Sequence, residues 1–331
     1  MEDNKSFNTN NKVFLREKWN KPLLKFLSKR VDDKLIYLGL PSPNAEDIKQ
    51  WIDFIKVVIA FQCREYKKPS DPSQSRKDVE KLKTFLTTLE REDKIERHIV
   101  YDGYLEEVVL KGHDNSPRRI EFAYNDFITL YNLDFCNDIA SPLEFLDNEG
   151  DIQEVFKFDA IKKLLTLQKS ISQISNKFIF LLTVQCSYKG KELEHFLNDP
   201  PTQSIKDYLK KYTSLSGDEK NARIVRLFVT HLIHQNFPAN NFSPKILPTI
   251  RYKGLGGVTL LHFVILGIHT DTQAGAIPVY QQFEHVINQK FVDIDTNNFS
   301  NSSNVFDEEL SVKTDPVQYF SQSKTFEKLW Q

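Results

Sequence analysis

The residues with the clearest chemical character stand where apolar runs stop. In FITLYNLDFCN, residues 127–137, the run ends on the carboxylate Asp134, followed by Phe135, Cys136 and Asn137. An acid at the mouth of a buried strand can orient or deprotonate a nucleophile, and the aromatic beside it can shape an acceptor pocket. The same acid can instead cap the next segment or bond a neighbouring backbone N–H. Residues 98–101 run into Asp102-Gly103, which places another acid at a strand end and is also a turn signal. Residues 57–61 stop at Gln62, and residues 35–40 open into GLPSPN, residues 39–44. Gly39 permits a close backbone approach, while Pro41 and Pro43 stiffen the turn. Asn44 is placed to cap the helix that follows, whose first N–H groups suit a carboxylate.

Other constellations speak for less. His231 and His234 share a helix face at a spacing of three, but no third metal ligand is evident, so they read as structural. Cys136 has no neighbouring proline or threonine of the kind that marks a nucleophilic thiol in some cytosine methyltransferases, and it reads as an ordinary buried cysteine. Gly254 to Gly257 is short of a phosphate loop and sits between two strands, so it reads as a turn. No G-x-S-x-G, P-loop or H-E-x-x-H sequence occurs. Basic residues fall in scattered pairs, of which Arg118-Arg119 lies just upstream of the fourth strand.

These positions need elements to hold them. A strand over 35–40, an amphipathic helix with Ile48, Ile52 and Ile55 on one face, and a strand over 57–61 make a βαβ unit. A helix over 75–92 and a strand over 98–101 extend it. Residues 106–110 and 119–123 could pair as a hairpin around KGHDNSP. The strand at 127–134 is followed by a helix over 158–174, a strand over 177–184, a strongly apolar helix over 221–235, and strands over 246–252 and 260–268 joined by KGLGGVT. Continuous apolar strands suit a parallel sheet covered on both faces.

This order, an α/β doubly wound and mostly parallel seven-stranded sheet ending in an antiparallel hairpin, resembles the class I S-adenosylmethionine-dependent methyltransferase fold across residues 35–270. The resemblance is one of element order. It implies a cofactor loop after the first strand, acids after the second and third strands for ribose and adenine, and a transfer site at the fourth. Carried onto this chain, it places S-adenosylmethionine near Gly39, Pro41, Asn44, Gln62, Asp102 and Gly103. It places catalysis at Asp134, Phe135 and Asn137. The chain departs from the family at two of these places: prolines replace glycines in the first loop, and Gln62 stands where an acid is expected, without its charge-assisted strength. Two functions therefore lead, ahead of a third in which a nucleotide-binding α/β protein uses the same crevice for another ligand. One is a methyltransferase of unknown acceptor, and the other is a catalytically inactive methyltransferase-like subunit that binds a protein partner.

The 331 residues divide into an N-terminal helical extension (1–34), the α/β domain (35–270) and a C-terminal extension (271–331) whose aromatics can dock on it. A net charge of −1 provides no global field to recruit nucleic acid, which stays possible but is not indicated, or an anionic membrane. No apolar run reaches the ~20 residues of a membrane helix, and three widely spaced cysteines fit a reducing compartment, so a cytoplasmic protein is expected.

Overall fold

The computed structural model describes residues 8–31, 33–62, 72–135, 138–146, 150–173, 176–187, 189–270, 279–295, 305–307 and 312–314. A helical run opens it: α1 (Asn10–Phe14), a π-helical turn over Leu15–Asn20, and α2 (Lys21–Val31). Next come β1 (Leu35–Gly39), α3 (Glu46–Trp51), β2 (Ile55–Gln62), α4 (Pro72–Arg91), β3 (Arg97–Asp102), α5 (Leu105–Lys111) and β4 (Leu130–Asp134). After a small hairpin, β5 (Leu143–Leu146) and β6 (Ile152–Val155), come α6 (Lys157–Ile171) and β7 (Lys177–Gln185). Then follow α7 (Lys191–Asn198), α8 (Gln203–Thr213), α9 (Gly217–Ala239), β8 (Phe242–Ile246), β9 (Ile250–Lys253) and β10 (Thr259–His269). The last described elements are α10 (Val279–Asn288), β11 (Val292–Ile294) and the short pair β12 (Val305–Asp307) and β13 (Val312–Thr314).

The main sheet has the order β11-β9-β10-β7-β4-β1-β2-β3, with β8 also on β10. Strands β1 to β4 and β7 run parallel, and β10 lies antiparallel to β7, β8 and β9. Winding proceeds outward from β1 to β3, then returns to β4 on the other side, so the switch point lies between β1 and β4. This is the expected doubly wound, methyltransferase-like sheet. It has nine strands among the described residues where seven were expected. The difference comes from β10, whose eleven residues pair β9 along the first half and β8 along the second, and from β11 adding beyond β9. Pro244, which cannot donate to a ladder, is tolerated on the short outer strand β8.

Both faces are covered, as near-continuous apolar strands require. Leu35, Val58, Leu130 and Leu181 face a core closed by Trp19, Leu23 and Leu27 of the N-terminal helices, Trp51 of α3 and Leu86 of α4. Leu38, Tyr131, Phe178 and Leu182 face a second core closed by Val108 of α5, Leu164 of α6 and Phe228 of α9.

Three local readings differ from the sequence expectation, the first being Ile55, expected on the helix face with Ile48 but opening β2. Residues 105–111 form a helix and not a hairpin strand: Glu106 and Glu107 occupy its first turn, where the helix dipole favours acids, and Gly112 ends it at φ +80°. Of the expected pairing, only a single bridge between His113 and Glu121 remains. The helix after β1 is capped by Ala45 in a left-handed conformation and not by Asn44, whose side chain accepts from Lys81.

Candidate functional site

Doubly wound sheets bind ligands outside the carboxyl ends of their strands, beside the switch point. Here that place is the end of β1 against β4, where Gly39 pairs with Asn132. A Cβ on Gly39 would lie 2.5 Å from the Tyr37 hydroxyl and 2.6 Å from the Asn132 carbonyl oxygen. Gly39 is thus required by a neighbour within the chain. Alternation puts Tyr37 on the same face two residues earlier, and its fully buried ring runs along the strand over Gly39. The Tyr37 hydroxyl donates to Asp47 Oδ2 at 2.7 Å, and Asn132 Nδ2 donates to the same oxygen at 2.6 Å. Burial, then the adjacent Asp47, hold the Tyr37 phenol well above its usual range, so it stays a donor. Asp47, in the first turn of α3, is buried among these partners. Past β1 the Leu40 N–H donates to Asn132 O at 3.0 Å, and Pro41 is buried in the turn.

The third strand end is organised by Asp114, which is fully buried. Its carboxylate accepts from the N–H groups of Asp102, Ser116 and Ile120 and from the Ser116 hydroxyl. Asp102 is itself buried, and its carbonyl accepts from the Asn115 N–H at 2.8 Å. Gly103 donates its N–H to the carbonyl of buried Gln62 at 3.2 Å, which ties the second and third strand ends together.

At the fourth strand end, Lys12 of α1 donates to Asp134 Oδ2 at 2.6 Å, with both side chains partly buried. Asp134 pairs in register with Thr183, whose hydroxyl lies 2.9 Å from His262 Nδ1; His262 Nε2 lies 3.2 Å from Asn20 Oδ1. An amide oxygen only accepts, so Nε2 carries the proton and Nδ1 accepts from Thr183. Burial pushes His262 down to about 4, which keeps the ring neutral. Asn20 ends the π-helical turn, a distortion that often marks a constrained position. Asn11 Nδ2 also donates to Lys253 O, so the N-terminal helices lie along the carboxyl edge from β4 to β9.

Phe135 turns to the opposite face. It is buried, with the Lys157 ammonium 5.7 Å from its ring centre. Lys157, almost wholly buried at the start of α6, donates to Ser141 O at 3.1 Å and lies 3.9 Å from Glu106. Burial lowers the Lys157 pKa and raises that of Glu106, each partly offset by the other's charge. Glu192 of α7 joins this group and is pushed up to about 7, first by burial and then by Asp159. Sequence reading picked out Asn132 within NLDFCN and Asp47 as a first-turn acid, but not their joint bonds to Tyr37, and it passed over Tyr37 and the Lys157 group. A tyrosine two residues before a strand-end glycine was the one signal available, and the Lys157 group is assembled from four distant segments. Asn137 and Cys136 lie outside the described residues.

Burial, then His234, lowers His231 to about 4, and His234 Nδ1 bonds Thr230 O. No group of side chains fit to hold a metal occurs among the described residues. Leu255–Gly257 make a tight turn between β9 and β10. Burial pushes the Cys186 thiol up to about 12, far from a reactive thiolate. No described helix is long and apolar enough to cross a membrane.

No family model and no curated protein matches the chain. Among solved structures, an rRNA methylase from Streptococcus thermophilus overlaps at 13% identity over 75% of this chain and 95% of its own, with a TM-score of 0.31. The 1,6-didemethyltoxoflavin-N1-methyltransferase of Burkholderia thailandensis overlaps at 12% identity over 78% and 81%, with a TM-score of 0.32. An O-methyltransferase family protein from the same organism overlaps at 9% identity over 82% and 62%, with a TM-score of 0.31. The class I methyltransferase-like architecture of this chain rests on its strand order and not on these overlaps.

Proposed function

We propose that this chain is a catalytically inactive methyltransferase-like protein that acts by binding a protein partner. One observation supports this above the rest: the Tyr37 hydroxyl, locked to Asp47 and Asn132, fills the space over Gly39 that a cofactor's approach to the first strand would need. Two further features agree. Pro41 and Pro43 stand where the family has glycines, and Glu46 and Asp47 open α3, so an incoming carboxylate meets negative charge at that helix start. A cytoplasmic setting belongs to the same reading. Titration of the folded protein with S-adenosylmethionine and S-adenosylhomocysteine tests it, and the expected result is no heat of binding.

A second reading keeps the enzyme. S-adenosylmethionine would lie against Gly39, Pro41, Asn44, Gln62, Asp102 and Gly103, with Asp134, Phe135 and Asn137 facing the acceptor. Its support is Glu192, a carboxyl pushed up to about 7 in the Lys157 group beside Phe135 and suited to proton removal near neutrality. It requires Tyr37 to leave its buried hydrogen bonds.

A further inference from the structure

The β5–β6 hairpin stands apart from the main sheet as a two-stranded unit of its own. It pairs Leu146 directly opposite Ile152, and Glu144 opposite Glu154. Alternation places these four residues on one face, with Leu143, Phe145, Gln153 and Val155 on the other. The second face is anchored: the Lys111 ammonium of α5 lies 4.6 Å from the centre of the Phe145 ring. The first face is left to solvent. Leu146 is 59% exposed and Ile152 71%, the two highest values among the described large apolar residues, and they are cross-strand neighbours. A scattered exposed leucine needs no explanation, but a paired apolar tip on a hairpin that is marginal by itself does.

The charge around that tip narrows what can cover it. Among the described residues of 143–155, Glu144, Asp151 and Glu154 are acidic and none is lysine or arginine, in a chain whose net charge is −1. Lys191 of α7 pairs with Glu154 at the base. Anionic membranes and nucleic acid are repelled by such a surface, and a second copy would bring like charge against like. We propose that the hairpin is a docking arm for a protein partner that offers an apolar socket rimmed by lysine and arginine, with Leu146 and Ile152 as the anchors. This rests on the binding-subunit reading and names the class of partner. Buried apolar anchors supply the affinity of such an interface, and the charged rim supplies orientation and rate.

The test uses two short probe peptides, one an amphipathic sequence of leucine and lysine, the other with every leucine replaced by glutamine. Each is titrated into the full chain and into Leu146→Ser/Ile152→Ser, whose changes lie at exposed positions. The expected result is binding of the leucine–lysine peptide, weakened about tenfold or more in the double variant and by added salt. The glutamine–lysine peptide should bind about tenfold more weakly to the unaltered protein. Equal binding to the double variant, equal binding of both peptides, or no binding would overturn the proposal. So would a dimer in sedimentation that the double variant abolishes, since that makes the face a self-interface. The hairpin changes leave the first-strand crevice untouched, so heat with S-adenosylmethionine would count against the inactive reading without deciding this one.

Discussion

At the residue scale, the account depends on a few buried polar groups whose partners all come from within the chain. Removing the Tyr37 hydroxyl as Tyr37→Phe leaves Asp47 with one donor fewer in a buried site. The expected cost is about 1–3 kcal/mol, read as a lower urea midpoint with an unchanged slope; a shift below about 0.5 kcal/mol would mean that the hydroxyl holds nothing. His262 sets a pH dependence. Burial holds its folded value at about 4, below the 6.5 of an ordinary imidazole. The unfolded chain therefore binds the extra proton between these values, and stability rises with pH across that window. The contribution is complete above pH 6.5 and is lost as pH falls toward 4. It amounts at most to about 3 kcal/mol. Urea unfolding at several pH values, compared with His262→Gln, isolates it: the variant should have a shallower slope between pH 6.5 and 4, the remainder belonging to groups such as His231 that are lowered in the same window, and an unchanged slope would remove His262 as a contributor.

At the element scale, α10 packs on α9 through apolar contacts such as Phe283 against His234, and one side chain adds a polar tie. The Arg226 guanidinium, buried within α9, donates to the carbonyls of Ile287 (2.6 Å) and Gln289 (2.9 Å) and lies 4.2 Å from the centre of the Phe291 ring. It thereby satisfies the open carbonyls at the α10 terminus. Arg226→Ala leaves those acceptors buried and is expected to cost at least about 2 kcal/mol, with faster amide exchange concentrated over 279–294. A uniform loss of protection would argue against a local tie. Elements of this kind were unevenly legible. The apolar strands could be read because β1, β2, β4 and β7 are buried on both faces, and continuous apolar runs have few other uses. The segment at 106–110 misled because Val108, Val109 and Leu110 favour either structure, and acids in the first turn with a glycine stop decided for a helix. The β5–β6 hairpin went unread because its polar, acidic residues break any alternation. The strand count fell short because β10 takes two partners end to end, a fact of pairing that no single segment encodes.

At the scale of the whole molecule, a doubly wound sheet is closed along its carboxyl edge by its own residues: Tyr37 over β1, Asp114 behind β3, and Lys12 across to Asp134. The positions Gly39, Asp102 and Asp134 could be picked from the sequence because strand ends announce themselves. What surrounds each of them could not, because Tyr37, Asp114 and Lys12 reach those places only through the fold. On the proposed reading, the surface offers an acidic arm with an apolar tip, and Tyr37 occupies the place over Gly39 where a cofactor would approach. Isothermal titration of the folded, monodisperse protein with S-adenosylmethionine and S-adenosylhomocysteine, repeated on Asp102→Ala, tests this most directly. The account predicts no heat from either ligand with either protein, whereas micromolar binding that disappears in Asp102→Ala would contradict it and restore the transferase.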